Sequence, residues 1–236
     1  MKKKINIYND GIGCVEYVQH MGDDLTIVNA ARVSFGKHKI EIDDKDKKLI
    51  KYLIKNRHTS TLEHNIITFR FKVPLFVRSQ HHRHRTWSYN EISRRYTDEN
   101  LQFYEPKLFR TQHKSNRQAS NSDEIDPIIY PDWDDKTCGI RASTTVINHN
   151  KSSVDLYNKL VRSGICREQA RGVLPQNLYT EYYGTVNLSN ALKFIDLRID
   201  PHAQWEIQKV GHAMLDIMSC AWPTAIEIWK NTREIE

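Results

Sequence analysis

The chain has 236 residues, 39% of them hydrophobic and 27% charged, with nine glycines and seven prolines; it is long enough to bury a core and too poor in Gly and Pro to be fibrous or low-complexity. No window approaches the roughly 18 uncharged apolar residues of a membrane span, and Met1–Ile7 runs into polar Tyr8, Asn9 and Asp10 without the apolar region of a secretory leader, so a cytoplasmic protein with no membrane partner is expected. The formal charge of +6 implies an anionic partner, whether nucleic acid, nucleotide or phosphorylated metabolite.

In chain order, the opening reads as strands over Ile5–Tyr8 and Cys14–Gln19, then a helix over Asp24–Ala31 that stops at the Ser34-Phe35-Gly36 turn. Asp44 is placed as the cap of a helix over Lys45–Asn56, because Leu49, Ile50, Leu53 and Ile54 share one face while lysines cover the rest. Ile67, Phe69, Phe71 and Val73 alternate with Thr68, Arg70 and Lys72, the period-2 pattern of a strand with one buried face, which Pro74 closes. Proline is tolerated at a helix start, and no Gly or Pro follows for a dozen residues, so a short helix is expected over Leu75–Arg85.

Arg110–Asp135 is polar and carries Asp126-Pro127 and Tyr130-Pro131-Asp132, which reads as a surface insertion or mobile loop. A long helix over Thr137–Ser163 ends at Gly164, and a short one over Arg167–Val173 ends at Pro175. Leu178–Val186, with three tyrosines, reads as a strand. Helices over Ser189–Asp196 and Ala203–Ser219 complete the chain, the last with Ile207, Val210, Met214 and Ile217 on its buried stripe. Helices and strands without strict βαβ alternation point to an α+β fold, a single domain over residues 1–236 with the 110–135 insertion.

Chemistry concentrates between Arg78 and Arg95, where five arginines face one acid, Glu91, beside His81, His82 and His84. If Leu75–Arg85 is helical, Gln80, Arg83 and His84 share a face. Zinc is disfavoured there because neighbouring guanidinium groups oppose a divalent cation. A nucleic-acid-binding module is the rival reading, since arginines beside Trp87, Tyr89 and Tyr96 supply phosphate contacts and stacking surfaces. Against it, Ser88, Asn90, Glu91 and Ser93 suit a pocket for a single nucleotide, in which arginine holds phosphate while neutral donors and one acceptor hold sugar and base. No CxxC pair occurs among Cys14, Cys138, Cys166 and Cys220, so they are expected to be reduced core thiols.

Arg83-His84-Arg85-Thr86-Trp87-Ser88-Tyr89-Asn90-Glu91-Ile92-Ser93-Arg94-Arg95 matches RHRxxSxNExSxR, and in this the chain resembles the flavin-dependent thymidylate synthase family. Ala30–Phe35, His58–His64, Arg167–Pro175, Leu197-Arg198 and His202–Glu206 extend the resemblance to nearly the whole chain outside the insertion. The resemblance implies a mixed, largely antiparallel sheet packed with helices, in a homotetramer whose active sites are shared between subunits. It implies FAD as cofactor, held by Ser34, Ser60, Arg83, His84, Arg85, Glu91 and Asn187. It places dUMP on Gln80, Arg83, Glu91, Ser93, Arg94, Arg95, Arg171 and Arg198, with 5,10-methylenetetrahydrofolate and NADPH as co-substrates and no metal or nucleic acid.

By the same resemblance Arg198 is the catalytic residue, lying at the uracil and favouring its N3-ionised form so that C5 attacks a one-carbon unit. That role explains why no activated cysteine is needed; Cys166, beside Arg167, is the only thiol with a basic neighbour and is read as packed. Two positions depart from the family pattern: Ser189 stands where an arginine is common, and Lys193 where an asparagine or histidine is. Those positions serve the flavin or folate side, so a water-accessible pocket yielding 5-hydroxymethyl-dUMP, as in a dUMP hydroxymethylase, is the alternative outcome. His58 is placed over the flavin or folate ring, His64 is left open between that role and a half-buried one, His202 is read as a cap or packing residue, and Trp205 and Trp222 are placed in the core.

Overall fold

The structure, a computed structural model, describes residues 4–97, 99–117, 119–131 and 137–233. Its elements in chain order are β1 (Lys4–Asn6), β2 (Cys14–Met21), α1 (Asp24–Arg32), α2 (Asp44–Lys55), β3 (Ile66–Pro74), α3 (Leu75–His81), β4 (Ser88–Glu91), β5 (Phe109–Gln112), β6 (Ser120–Ile125), β7 (Ile128–Ile129) and β8 (Ile140–Arg141). There follow α4 (Ala142–Arg162), α5 (Arg167–Ala170), β9 (Tyr179–Asn187), α6 (Leu188–Arg198), α7 (Trp205–Ala221) and α8 (Pro223–Arg233). Short 3₁₀ turns at Val33–Phe35, Thr59–Leu62 and Arg171–Val173 extend α1, precede β3 and extend α5. The chain is therefore α+β, and it divides into two compact units.

The first unit comprises residues 4–72, 80–90 and 181–233. It contains most of a five-stranded sheet in the order β1-β2-β3-β9-β4. β1 and β2 pair antiparallel with Lys4 opposite Glu16, and β2 pairs antiparallel with β3, Cys14 opposite Lys72, through a bulge between Tyr17 and Gln19. The alternation of β3 reaches one buried face, with Ile67, Phe69 and Phe71 inaccessible to solvent. α7 covers β2 and packs on α6 and α8, and Ile207, Val210, Met214 and Ile217 are all buried, as their spacing requires.

Four expectations are corrected in this unit. The cap of α2 is Asp43, one residue before Asp44; it accepts from the Asp46 amide, and Asp46 returns the bond in a capping box. α8 is an additional helix, with Pro223 at its first position and its next two amides bonded to the buried carboxylate of Asp24, Thr224 N and Ala225 N each at 2.9 Å. β4 is an additional strand. α3 stops at His81, so Arg83 and His84 lie in a turn and the shared helical face with Gln80 does not form. The reason is local. The Tyr89 hydroxyl donates to the carbonyls of His81 (3.0 Å) and His84 (3.1 Å), oxygens that a continuing helix would use for its own amides, and the His81 ring is wedged between Phe71 and Trp87.

The second unit comprises Val73–Ser79 and Glu91–Thr180. Segment 102–104 runs beside 177–179, with Tyr104 N donating to Asn177 O and Tyr179 N to Gln102 O. The segment 110–135, expected as a surface insertion or mobile loop, is largely exposed but carries strands: β5 pairs antiparallel with β6, Phe109 opposite Ile125, and β7 pairs with β8, which follows the segment. Asp132–Asp135 of that segment lie outside the described residues. α4 starts at Ala142 rather than Thr137, because the strand β8 precedes it and Asp126 caps it, accepting from Ser143 N at 2.9 Å and Ser143 Oγ at 2.8 Å.

Cysteines also differ from expectation. Cys14 alone is buried, its thiol pKa raised by burial, whereas Cys138, Cys166 and Cys220 are exposed. Trp222 is fully buried and donates its indole N–H to Asn65 Oδ1 at 2.8 Å; Trp205 is half-buried. His64 is exposed, which removes its half-buried reading.

Candidate active site

In the first unit the turn at 80–87 is anchored by His81, completely buried, with Nδ1 2.8 Å from the Tyr182 hydroxyl and rings of Phe71, Trp87 and Phe194 around it. Burial first, then the neighbouring His84, His82 and Arg198, push its pKa well below the usual histidine range. Trp87 is buried and stacked on Tyr89 with planes 4° apart. Trp87 is therefore no platform for bases, and the two rings serve as the wall that holds the turn.

His84 meets Arg198, the last residue of α6: Arg198 Nε donates to His84 Nε2 at 3.2 Å. A guanidinium has only donors, so Nε2 must be the acceptor and the imidazole proton sits on Nδ1. Burial, reinforced by the Arg198 charge, lowers the His84 pKa to about 4, which keeps this geometry at neutral pH. Burial also lowers the Arg198 pKa, while the guanidinium stays charged throughout the working range. Gln80 Nε2 donates to Gln204 Oε1, and Gln204 Nε2 to the buried Glu206 at 2.9 Å, so Gln80 is set by a chain of side chains that its own segment does not reveal.

The other expected residues of this unit are spread out. Arg83 and Arg85 are exposed, and among the described residues neither is ion-paired. Ser34 and Ser60 are exposed in the 3₁₀ turns after α1 and before β3. Asn187 is the N-cap of α6, its Oδ1 accepting from Asn190 N at 2.9 Å, so its amide oxygen has a structural task. His58 is exposed edge-on to Tyr52, and His202 is an exposed turn residue bonded to Asp200.

In the second unit, Glu91, Ser93, Arg94 and Arg171 line one cavity of about 520 Å³. Arg78 lines it too, and its Nε donates to Glu91 Oε1 at 3.0 Å; Thr180 Oγ1 donates to the same oxygen at 2.6 Å. Arg94 is tied to the carbonyls of Glu99 (3.0 Å) and Tyr179 (3.4 Å). Arg95 is outside this lining and pairs with Glu168 at 3.2 Å. Arg78 and Thr180 are site residues that the sequence reading left out. Arg78 belongs to the arginine run, but which arginine reaches the single acid depends on the packing of β4 residue Glu91 against α3.

Across this lining Arg78, Arg94 and Arg171 stand against Glu91, an excess of two positive charges. A phosphate monoester carries about −1.5 to −2 at neutral pH, and a volume of this order suits a small-molecule ligand. The arrangement can therefore grip a nucleoside monophosphate by guanidinium forks while one carboxylate and Ser93 read its hydroxyl and amide groups.

Residues 16–224 match the family model described as thymidylate synthase complementing protein. Flavin-dependent thymidylate synthases of Thermus thermophilus and Kosmotoga olearia are 41% and 40% identical to this chain, over 90% and 93% of it and 74% and 90% of their own lengths. A crystal structure of a UMP/dUMP methylase, PolB from Streptomyces cacaoi, bound with 5-Br dUMP, superposes with a TM-score of 0.77 at 29% identity, covering 92% of this chain and 94% of that one. The same methylase bound with 5-Br UMP gives a TM-score of 0.75. With the signature residues 83–95 inside the matched span, this chain belongs to the flavin-dependent thymidylate synthase family.

Proposed function

We propose that the chain methylates dUMP reductively to dTMP, with FAD as cofactor, 5,10-methylenetetrahydrofolate as one-carbon donor and NADPH as reductant. The observation that carries this is the cavity of the second unit, whose excess of two positive charges matches a nucleotide phosphate. Arg94 and Arg171 take the phosphate there. Glu91, its Oε1 already filled by Arg78 and Thr180, keeps Oε2 for the nucleoside.

The role the family signature gives Arg198 is to stabilise negative charge developing on the pyrimidine, a charge a fixed guanidinium holds without reorganising. His84 orients Arg198 by accepting its Nε–H, and its neutral form adds no competing cation. The exposed guanidinium groups of Arg83 and Arg85, without an ion pair among the described residues, fit the pyrophosphate of a flavin dinucleotide, which, when bound, supplies hydride to the transferred carbon. The family match spans both compact units, which supports reading the chain as one functional domain. Exposed Val33 and Phe35 on either side of Ser34 support a homotetramer with shared sites, which light scattering on a sizing column checks.

The deciding experiment is anaerobic incubation of the yellow holoprotein with dUMP, deuterated methylenetetrahydrofolate and NADPH, followed by mass analysis. Labelled dTMP is expected. A product one oxygen heavier would mark a hydroxymethylase, and no turnover by a flavin-loaded protein would refute the reading.

A further inference from the structure

Glu206, the second residue of α7, is buried, and its backbone carbonyl accepts from the Tyr8 hydroxyl at 3.1 Å. A carboxylate is favoured there, because the first turn of a 17-residue helix presents amide donors and the positive end of the helix dipole. A carboxylate accepts hydrogen bonds and donates none. Gln204 Nε2, 2.9 Å from Glu206 Oε2, is therefore the donor of that pair, and the Gln204 side chain can turn only its oxygen to Gln80. That oxygen in turn takes the Gln80 NH2 group as its donor. Gln80 Oε1 is left over: the residue is half-buried, and among the described residues this atom accepts no hydrogen bond. Gln80, Gln204 and Glu206 all lie in the first unit.

Gln204 leaves undone the task its position normally carries. It is the N-cap of α7, where Ser, Thr, Asp or Asn would satisfy an orphan amide of the first turn, yet its side chain makes no capping bond. Its two amide poles are committed to Glu206 and Gln80 instead. A free glutamine amide presents its oxygen or its NH2 group with nearly equal ease; one tied through two links to a buried carboxylate presents a single pole.

We propose that Glu206 and Gln204 are positioning residues that fix the Gln80 amide so that it meets the nucleotide as an acceptor only. This rests on the dUMP reading above, with Gln80 as a nucleotide contact. An acceptor selects a donor on its ligand, and at neutral pH dUMP carries two, the ring N3–H and the sugar 3′-hydroxyl.

The test reverses the relay. A carboxylate at position 80 and an amide at position 206 exchange donor and acceptor at both links and still leave an acceptor for the ligand. Gln80→Glu alone sets two acceptors against each other at Gln204 and is expected to weaken dUMP binding about 10-fold or more, measured by titration calorimetry on the flavin-loaded protein. Adding Glu206→Gln is expected to recover at least about fivefold of that loss, a coupling between residues two links apart. Gln204→Ser is the second variant. It offers α7 a capping hydroxyl, so its melting temperature is expected to hold or rise while dUMP affinity falls several-fold; a purely structural Gln204 would lower the melting temperature and leave affinity unchanged. Repeating the Gln204→Ser titration with 2′,3′-dideoxyuridine 5′-monophosphate identifies the donor: an effect that vanishes assigns the 3′-hydroxyl to Gln80, and one that persists assigns N3–H. A folded double variant that binds dUMP no better than Gln80→Glu overturns the proposal, as does wild-type affinity in Gln204→Ser, and either result leaves the functional reading intact. A flavin-loaded wild type that fails to bind dUMP sinks both.

Discussion

Acid should unfold this protein through two imidazoles that the fold keeps neutral. His81 is fully buried, and its pKa lies well below the usual value because of burial and then of His84, His82 and Arg198; His84 is held at about 4 by burial and then by Arg198. In the unfolded chain both return to about 6.5 and bind protons that the folded state refuses. Their contribution is therefore complete above pH 6.5 and is lost as pH falls below it, at up to about 1.4 kcal/mol per pH unit for each group. Between pH 6.5 and 5 that is at most about 2 kcal/mol from His81, and about 1 kcal/mol from His84 after allowance for its partial solvent access. The sum, at most about 3 kcal/mol, corresponds to a fall of up to roughly 6–12 °C in melting temperature for a chain of this size. Thermal melts at constant ionic strength over this range, for wild type and His81→Gln, measure it directly. A His81→Gln protein with undiminished acid sensitivity would refute the assignment, as would a wild-type melting temperature that stays flat from pH 7 to 5.

Other perturbations test separate parts of the molecule. On the role proposed for Arg198, Arg198→Ala should lower kcat by at least about 100-fold, as loss of a fixed charge at a reacting centre does, while leaving the far-UV spectrum and melting temperature near wild type; near-wild-type turnover would remove that proposed role. Asp24→Ala strips two amides of α8 of their buried acceptor and should cost about 1–3 kcal/mol in denaturant unfolding, with an unchanged m-value. Gly184→Ala would place a methyl 2.9 Å from Phe71 Cε2 and 3.2 Å from Trp87 Cε3, which should destabilise by about 1–3 kcal/mol and, because Trp87 walls the 80–87 turn, change its tryptophan emission.

The elements that the sequence made legible are those whose local pattern and final burial agree. β3 alternates because one face of it is packed and the other is not, and the apolar stripe of α7 is the stripe that β2, α6 and α8 cover. The end of α3 was illegible because nothing between Leu75 and Arg85 breaks a helix; the stop is imposed from outside by the Tyr89 hydroxyl and by the aromatic cage of His81. α8 was missed for a related reason: its cap is supplied by Asp24, some two hundred residues away. The ribbons that begin in segment 110–135 are short, β5–β6 is largely polar and β7–β8 has only two residues to a strand, so no alternation marks them and their pairing follows from cross-strand registry.

For the site, residue types and spacing alone pointed to an anionic nucleotide, and the run from Arg83 to Arg95 identified the family. Tertiary structure decided how those residues are employed: Glu91 joined to Arg78 and Thr180, Arg198 bonded to a neutral His84, Asn187 spent on a helix cap, and Arg95 turned to Glu168. The physical reason is that charge and hydrogen-bonding capacity are properties of a side chain, whereas protonation state and partner depend on which distant groups are packed beside it and how much water remains there.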